Sequence, residues 1–545
     1  MINQFKLHSS IVFIVFCAGY AVIIFNLYLI QIRDSTFFTQ IGSQQYHVTV
    51  TQTPPRAPIF DRSGKHYLAM NNDCLSAFAL PTKITHPERL KSFLKRHFPQ
   101  ALEQLHKKKN KYFMYVKRKL SKEQLDLITK ANLADIYLLH ESSRFYPIES
   151  AASIVGLTDI DNKGVLGIEL MCDKTLAGIP TTLSLEKDAR SGYFYFKKET
   201  KKMGSLGNPV CLTIDSDLQF LVHEEIQKTH DQFAAQESAA IIMDPKNGEI
   251  LAMASFPLFN PNDTQQLIIE QTKNKLITDA HELGSVMKVF TALAALQEGV
   301  VTPDELIDCK NSKTAFIDGR KINTVEARGI IPFCDVIAYS NNIGIATVAK
   351  RLGPSLYDYY LKLGFGNKTN IELPGENKGF VNPPENWSKQ SIISLSYGYE
   401  ISATLLQLAC AFSLIANNGY AVKPTLILNT SPTNTAKEKL FSDTAIKIIK
   451  DILERTTQNG TAQRAAIQGY TIMSKTGTAN LLTDGIYDPN KNIYTCAGIV
   501  QKGEYQRVVV TFVKQAQRKN LYAATVAAPL FEKVVQKMLI HERIV

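Results

Sequence analysis

The stretch Ala239-Ala240-Ile241-Ile242-Met243-Asp244-Pro245-Lys246-Asn247-Gly248-Glu249-Ile250-Leu251-Ala252-Met253-Ala254 decides how the fold is read. Its two ends, Ala239 to Met243 and Glu249 to Ala254, are apolar runs of strand length. Between them Asp244 to Gly248 gathers Asp, Pro, Asn and Gly, the residues that preset or tolerate turn dihedrals. Two apolar strands around such a turn form a hairpin. The neighbouring patterns mix helix with strand. Val210 to Ile214 is a short apolar strand, and Asp215 to Gln227 reads as a capped helix. Arg507 to Val513 is a β-branched strand, and Ala527 to Ile540 is a helix. The hairpin therefore opens a mixed α/β domain.

Working toward the N-terminus, Lys201 to Pro209 (KKMGSLGNP) is rich in Gly and basic residues and marks a boundary. Before it, Gln45 to Gln52 alternates like a strand and Pro54 to Pro58 interrupts it. Ile59 to Gly64 ends in a turn. Helical patterns dominate from Pro87 to Lys130, and Asp161 to Gly164 forms a loop before a helical Val165 to Leu176. Ile11 to Ile32 (IVFIVFCAGYAVIIFNLYLIQI) carries no charge. About twenty such residues span a bilayer as a helix. A cleaved signal peptide is the competing reading; the run is too long for one and no small-residue cleavage site follows. Lys6 before the span and Arg33 after it give the positive-inside rule little to weigh. The expected organisation is a tail over 1–10, a membrane helix over 11–32, one domain over 33–200 and a second over 208–545.

A chain of 545 residues holds two or three such domains. Its net charge of +11 suits an acidic surface or polymer. Nucleic acid is disfavoured, because no zinc-ligand spacing or basic zipper accompanies the charge. Lys107, Lys108, Lys109, Lys111, Lys117, Arg118 and Lys119 form one basic run, read as a solvated face rather than a binding patch. The eight cysteines include no C-x-x-C pair, so no structural metal site is expected. Cys309 and Cys334 flank one short segment and would pair only if their Cα atoms approach in an oxidising compartment.

Three short motifs carry chemistry. Ser285-Val286-Met287-Lys288 leads into the apolar helical run Val289 to Leu296. Residues three apart share a helix face, which puts Lys288 within reach of the Ser285 hydroxyl. A neutral lysine is one activator of a serine nucleophile. Alone, this pattern is as well explained by a polar helix face. Ser340-Asn341-Asn342 offers a proton-relaying hydroxyl at Ser340 and an amide at Asn342 for a peptide carbonyl, though Ser-Asn-Asn is also an ordinary loop. Lys475-Thr476-Gly477-Thr478 follows Tyr470 to Ser474 and reads as an edge strand meeting a substrate, with a turn between strands as the bland alternative. There Gly477 lets a substrate backbone approach. The N–H groups of Thr478 and Ser285 would form an oxyanion hole, and Lys475 with the Thr476 or Thr478 hydroxyl would bind a terminal carboxylate. The three in this order mark penicillin-binding proteins and serine β-lactamases.

With these residues in place, the chain resembles class B penicillin-binding proteins, the division-type FtsI group in particular. Arg56 with Asp61-Arg62-Ser63-Gly64, Ser143 to Pro147, and Gly164 to Glu169 are similar to landmarks of that family's pedestal. So are Leu212 to Asp215, Ile277-Thr278-Asp279, Tyr397-Gly398-Tyr399 and Leu406 to Ala409 to landmarks of its catalytic domain. The resemblance implies a single transmembrane helix, an α+β pedestal domain, and a C-terminal α/β transpeptidase domain with an antiparallel sheet flanked by helices. It implies acylation of Ser285 by peptidoglycan stem peptides or β-lactams, and transfer to the amine of a second stem. It implies an extracytoplasmic catalytic domain on the inner membrane, no metal or organic cofactor, and glycan polymerase and division proteins as partners. Leu283, Val289 and Leu405 stand where the family usually has proline, and Glu400 where it has glycine. A carboxylate at Glu400 would repel a substrate carboxylate or pair with Lys475. The alternatives are a D,D-carboxypeptidase or β-lactam hydrolase, an elongation-type transpeptidase, and a non-catalytic division scaffold.

Overall fold

A computed structural model describes residues 2–107, 111, 113–187, 194–263, 267–428, 438–483, 485–518 and 521–544. Lys108 and Lys109 of the basic run lie outside the described residues. The chain divides into two compact units, Met1–Arg56 with Ala177–Asn208, and Ala57–Leu176 with Pro209–Val545.

In the first unit the apolar run forms a helix, Ile2–Tyr28, extended by a π-turn over Leu29–Arg33. The 28 residues Lys6–Arg33 are long and apolar enough to cross a membrane, and their most apolar stretch is 0% buried by protein. At 1.5 Å per residue they reach about 40 Å, more than the ~30 Å hydrocarbon core. The strand expected from Gln45 begins at His47, because the preceding helix Ser35–Tyr46 takes up the first two residues. It pairs antiparallel with Thr181–Lys187, which pairs in turn with Phe194–Lys202.

The second unit begins with an α+β segment. The long strand Tyr67–Ala79 pairs with Met114–Lys117 and with Tyr137–Phe145. Helices Pro87–His97, Pro99–Lys107 and Lys122–Ala131 cover it, burying Leu90, Leu94, Leu105 and Ile128 against Ala77 and Met114. The last helix starts at a capping box in which the Ser121 hydroxyl accepts from the Gln124 N–H and the Gln124 side chain from the Ser121 N–H. Arg118 of the basic run bonds Glu141 at 3.0 Å and Asp161 at 2.6 Å, so part of that run is an ion-paired surface. Arg144 and Glu169 form a buried pair at 2.6 Å, with side chains 1% and 0% exposed.

The rest of the unit is a five-stranded antiparallel sheet between helical layers. Its elements are α1 (Ser216–Phe233), β1 (Glu237–Met243), β2 (Ile250–Phe256), α2 (Lys288–Gln297), α3 (Asn342–Leu352), α4 (Leu405–Ala416), α5 (Asp443–Asn459), β3 (Thr471–Thr483), β4 (Ile486–Lys502), β5 (Tyr505–Lys514) and α6 (Ala527–His541). The strand order is β2-β1-β5-β4-β3. The β1–β2 hairpin forms as read, and Asp215 caps α1 through the N–H groups of Asp217 and Leu218. The apolar run Val210 to Ile214 contributes a strand over Val210–Cys211 only. Successive strand residues point to opposite faces. Ile242 and Val509 therefore pack with Val222, Phe531 and Val535 of α1 and α6, while Ile241, Val508 and Val510 join the core holding Phe290, Leu408 and Ile449 of α2, α4 and α5. Burial on both faces explains strands that read as continuous apolar runs rather than as alternation. The β3 strand lies at the sheet edge with one side unpaired in the ladder. All eight cysteines are free thiols, Cys309 and Cys334 among them.

Candidate active site

Ser285 sits in a 3₁₀ turn, Gly284–Met287, that runs directly into α2. Three glycines fix this turn against its neighbours. A side chain on Gly284, at φ +58°, would lie 2.6 Å from the Thr478 carbonyl oxygen of β3. One on Gly477 would lie 2.5 Å from the Leu283 oxygen and 2.6 Å from Val286 Cγ2. One on Gly398 would lie 2.2 Å from the Gly284 oxygen. Real Cβ atoms do not approach this closely, so the serine turn is clasped by backbone on two sides. The bare face of Gly477 thus lies against the serine turn.

Lys288 opens α2 and is fully buried. Its ammonium donates to the Ser340 carbonyl at 2.6 Å and the Ser340 hydroxyl at 3.1 Å. The helix spacing brings Lys288 onto the face of Ser285, but its hydrogen bonds go to Ser340. Lys475, in mid-β3 and equally buried, donates to the same hydroxyl at 3.0 Å and to the Thr476 carbonyl at 2.8 Å. Ser340 holds φ +57° just before α3, a left-handed conformation that aims its hydroxyl between the two amines. Among the described residues neither lysine has a carboxylate partner. Burial lowers the Lys288 pKa well below its ordinary value, and the nearby Lys475 charge lowers it further. Burial brings Lys475 down to about 7. Both shifts follow from removing an ammonium from water without a counter-charge.

Asn341 caps α3 by accepting from the Gly344 N–H at 2.9 Å, which places Asn342 on the first turn. The Asn342 side chain donates to the Asn323 carbonyl at 2.6 Å. The Thr476 hydroxyl bonds Thr461 at 3.2 Å, and the Thr478 hydroxyl accepts from the Ala523 N–H at 2.9 Å. The three sequence motifs thus meet at one place. Sequence reasoning reached Gly398 only within the Tyr397-Gly398-Tyr399 landmark and did not reach Thr461 or Ala523, because each meets its motif only through the fold.

Leu283 and Val289 are buried, so the residues standing for the usual prolines fill the core. Leu405 follows Thr404, whose capping box with Gln407 starts α4. Glu400 has φ +59° and its carboxylate accepts from Asn382 Nδ2 at 2.7 Å. No bond joins it to Lys475, which donates to Ser340 and Thr476.

Residues 238–536 match the penicillin binding protein transpeptidase domain, and residues 51–212 the penicillin-binding protein dimerisation domain. A probable peptidoglycan D,D-transpeptidase, PbpC, from Pseudomonas aeruginosa is 28% identical over 517 residues, covering 94% of this chain and 91% of the relative. The peptidoglycan D,D-transpeptidase FtsI of Escherichia coli is 31% identical over 431 residues, 78% of this chain and 72% of its own. The crystal structure of penicillin binding protein 3 from Mycobacterium tuberculosis, complexed with aztreonam, shares the fold with a TM-score of 0.70 at 24% identity over 91% of this chain and 98% of that one. The chain belongs to the penicillin-binding protein transpeptidase family, as a serine-type D,D-transpeptidase of the class B, FtsI-like group. It is anchored by one N-terminal membrane helix, with its catalytic domain outside the cytoplasm.

Proposed function

We propose that this enzyme cross-links peptidoglycan stem peptides through an acyl-Ser285 intermediate, in septal wall synthesis, and that β-lactams acylate the same serine. The convergence of two buried, charge-poor lysines on the Ser340 hydroxyl, at 3.1 and 3.0 Å, carries the reading. Amines held below their ordinary pKa accept protons at neutral pH. In the first half-reaction Ser285 Oγ attacks the carbonyl carbon of the D-Ala-D-Ala bond, and its proton passes to the Lys288 amine. The tetrahedral intermediate forms against the N–H groups of Ser285 and Thr478. Its collapse breaks the C–N bond, and the departing D-Ala nitrogen receives the proton through Ser340. In the second half-reaction an amine of another stem attacks the ester, loses a proton to the same relay and restores the Ser285 hydroxyl. Asn342 holds the stem backbone, and Lys475 with Thr476, Gly477 and Thr478 holds the terminal carboxylate. Every proton in this cycle is carried by side chains of the chain itself.

The pedestal over 33–200, beside the catalytic domain over 208–545 in sequence, is a docking platform for a glycan polymerase and other division proteins rather than a bare spacer; this reading rests on the family and on the FtsI names of several relatives. The test is labelling of membranes with a fluorescent penicillin. The wild type gives a covalent band; Ser285→Ala gives none and Lys288→Ala gives a trace. Equal labelling of Ser285→Ala would overturn the assignment. Depletion of the protein is expected to give filaments, whereas round cells would point to the elongation role.

A further inference from the structure

Three residues before the proposed nucleophile, Glu282 makes contacts that the acyl-transfer reaction does not itself require. Its Oε1 accepts from the Glu400 backbone N–H at 2.9 Å and from the Tyr487 hydroxyl at 3.1 Å. Those donors belong to two segments far apart in the chain. Glu400 follows the Tyr397-Gly398-Tyr399 turn, and Tyr487 lies near the start of β4, beyond the end of the catalytic β3 strand. The Tyr399 and Tyr487 rings meet edge to face at 5.0 Å, closing the same triangle.

The segment before Ser285 and the segment after Gly398 run side by side. His281 and Ala403 exchange both backbone hydrogen bonds at 2.9 Å. The Gly284 carbonyl lies against Gly398 so closely that any side chain there would collide with it. Between these two contacts Glu282 is the tie. It holds a piece of backbone strained at Glu400, which stands at φ +59°. A non-glycine residue in the left-handed region costs about 1–2 kcal/mol and persists only where its surroundings hold it. Hydrogen bonds to a carboxylate oxygen are of the stronger, charge-assisted kind.

We propose that Glu282 is a positioning residue for acyl transfer: one carboxylate oxygen fixes the Gly398–Glu400 turn and Tyr487 relative to the Ser285 turn, and so sets the geometry in which the serine attacks. This rests on the reading of Ser285 as nucleophile. Misplacing reacting groups by about 1 Å costs on the order of 10²-fold in rate. A positioning role therefore falls on the acylation step and leaves binding nearly untouched.

The test is single-turnover acylation of the full-length protein in detergent by a fluorescent penicillin, resolved into the acylation rate constant and the dissociation constant of the first complex, with thermal melting alongside. Glu282→Ala is expected to slow acylation by tenfold or more with the dissociation constant within threefold. Glu282→Gln keeps an acceptor oxygen and recovers the rate to within threefold of wild type. Tyr487→Phe, at a half-exposed position, folds normally and slows acylation two- to fivefold. A wild-type acylation rate in Glu282→Ala, or a Glu282→Gln as slow as the alanine variant, overturns the proposal. If Glu282→Ala does not fold, Tyr487→Phe decides, and its wild-type rate would overturn it. Labelling of Ser285→Ala would instead remove the nucleophile reading, whatever Glu282 does.

Discussion

A lysine ammonium taken out of water with no carboxylate beside it loses hydration that nothing replaces, and its proton affinity falls. Lys288 and Lys475 share this condition and share one hydroxyl, so they titrate as a coupled pair. With burial and the nearby Lys475 charge holding the Lys288 amine well below its ordinary value, acylation by penicillin should rise with pH from the acid side and level off well before the ordinary lysine range. Stopped-flow labelling between pH 5.5 and 9 measures this; a flat profile would contradict it. The Lys475 shift has a stability sign. The folded Lys475 pKa lies below the unfolded value of about 10.4, so between the two the unfolded chain binds more protons and stability rises with pH. Below pH 7 the buried charge exerts its full penalty. Lys475→Met should therefore melt above wild type at pH 6.5, with the gap closing toward pH 9.5 and above, while losing acylation. Glu400 offers a contrast. Its carboxylate is held by Asn382 and is not bonded to Lys475, so Glu400→Gly, which keeps the N–H that Glu282 accepts, should leave the acylation rate within about threefold.

At the scale of elements, the serine turn depends on what surrounds it. A methyl group on Gly398 would meet the Gly284 oxygen at 2.2 Å, and one on Gly477 the Leu283 oxygen at 2.5 Å. Backbone cannot yield to such contacts cheaply; overpacking of this kind costs about 1–3 kcal/mol. Gly477→Ala should thus melt lower and acylate about 10²-fold more slowly, since the strand is pushed off the serine turn. Melting and labelling of one preparation check both. The elements legible in the sequence were those whose pattern is local. The β1–β2 hairpin shows its turn, α1 its aspartate cap, β5 its β-branched run. The strand Met114–Lys117 was lost among helical neighbours because four residues hold too little periodicity. The 17-residue β4 strand was lost because its first half is polar, with Asp488, Pro489 and Asn490 in a row. For the site, each motif gave its own residues. That Lys288 would bond Ser340 rather than Ser285, and that Gly398 and Glu282 would frame the turn, depends on contacts between residues far apart in sequence, which no local pattern encodes.

Across the molecule, two features separate what folds the protein from what locates it. Arg144 and Glu169 are a buried pair in the α+β segment, each nearly without solvent. Removing one partner strands the other charge, which typically costs about 3–5 kcal/mol. Glu169→Ala should lower the melting temperature sharply, while the molecules that remain folded acylate at the wild-type rate, because the pair touches none of the site residues. The membrane helix is the opposite case. The apolar stretch within Lys6–Arg33 has none of its surface covered by protein, so deleting it uncovers no core and leaves no buried group unpaired. What it gains from a bilayer is large, because each buried apolar side chain is worth about 1.5–3 kcal/mol out of water. Ser285, Lys288, Ser340 and Lys475 all lie in the other compact unit. The full chain should therefore sediment with membranes until detergent is added. A protein of residues 34–545 should stay in the supernatant and be labelled by penicillin within about twofold of the full-length rate. A soluble fragment that folds but does not label would show that the membrane helix does more than tether the enzyme.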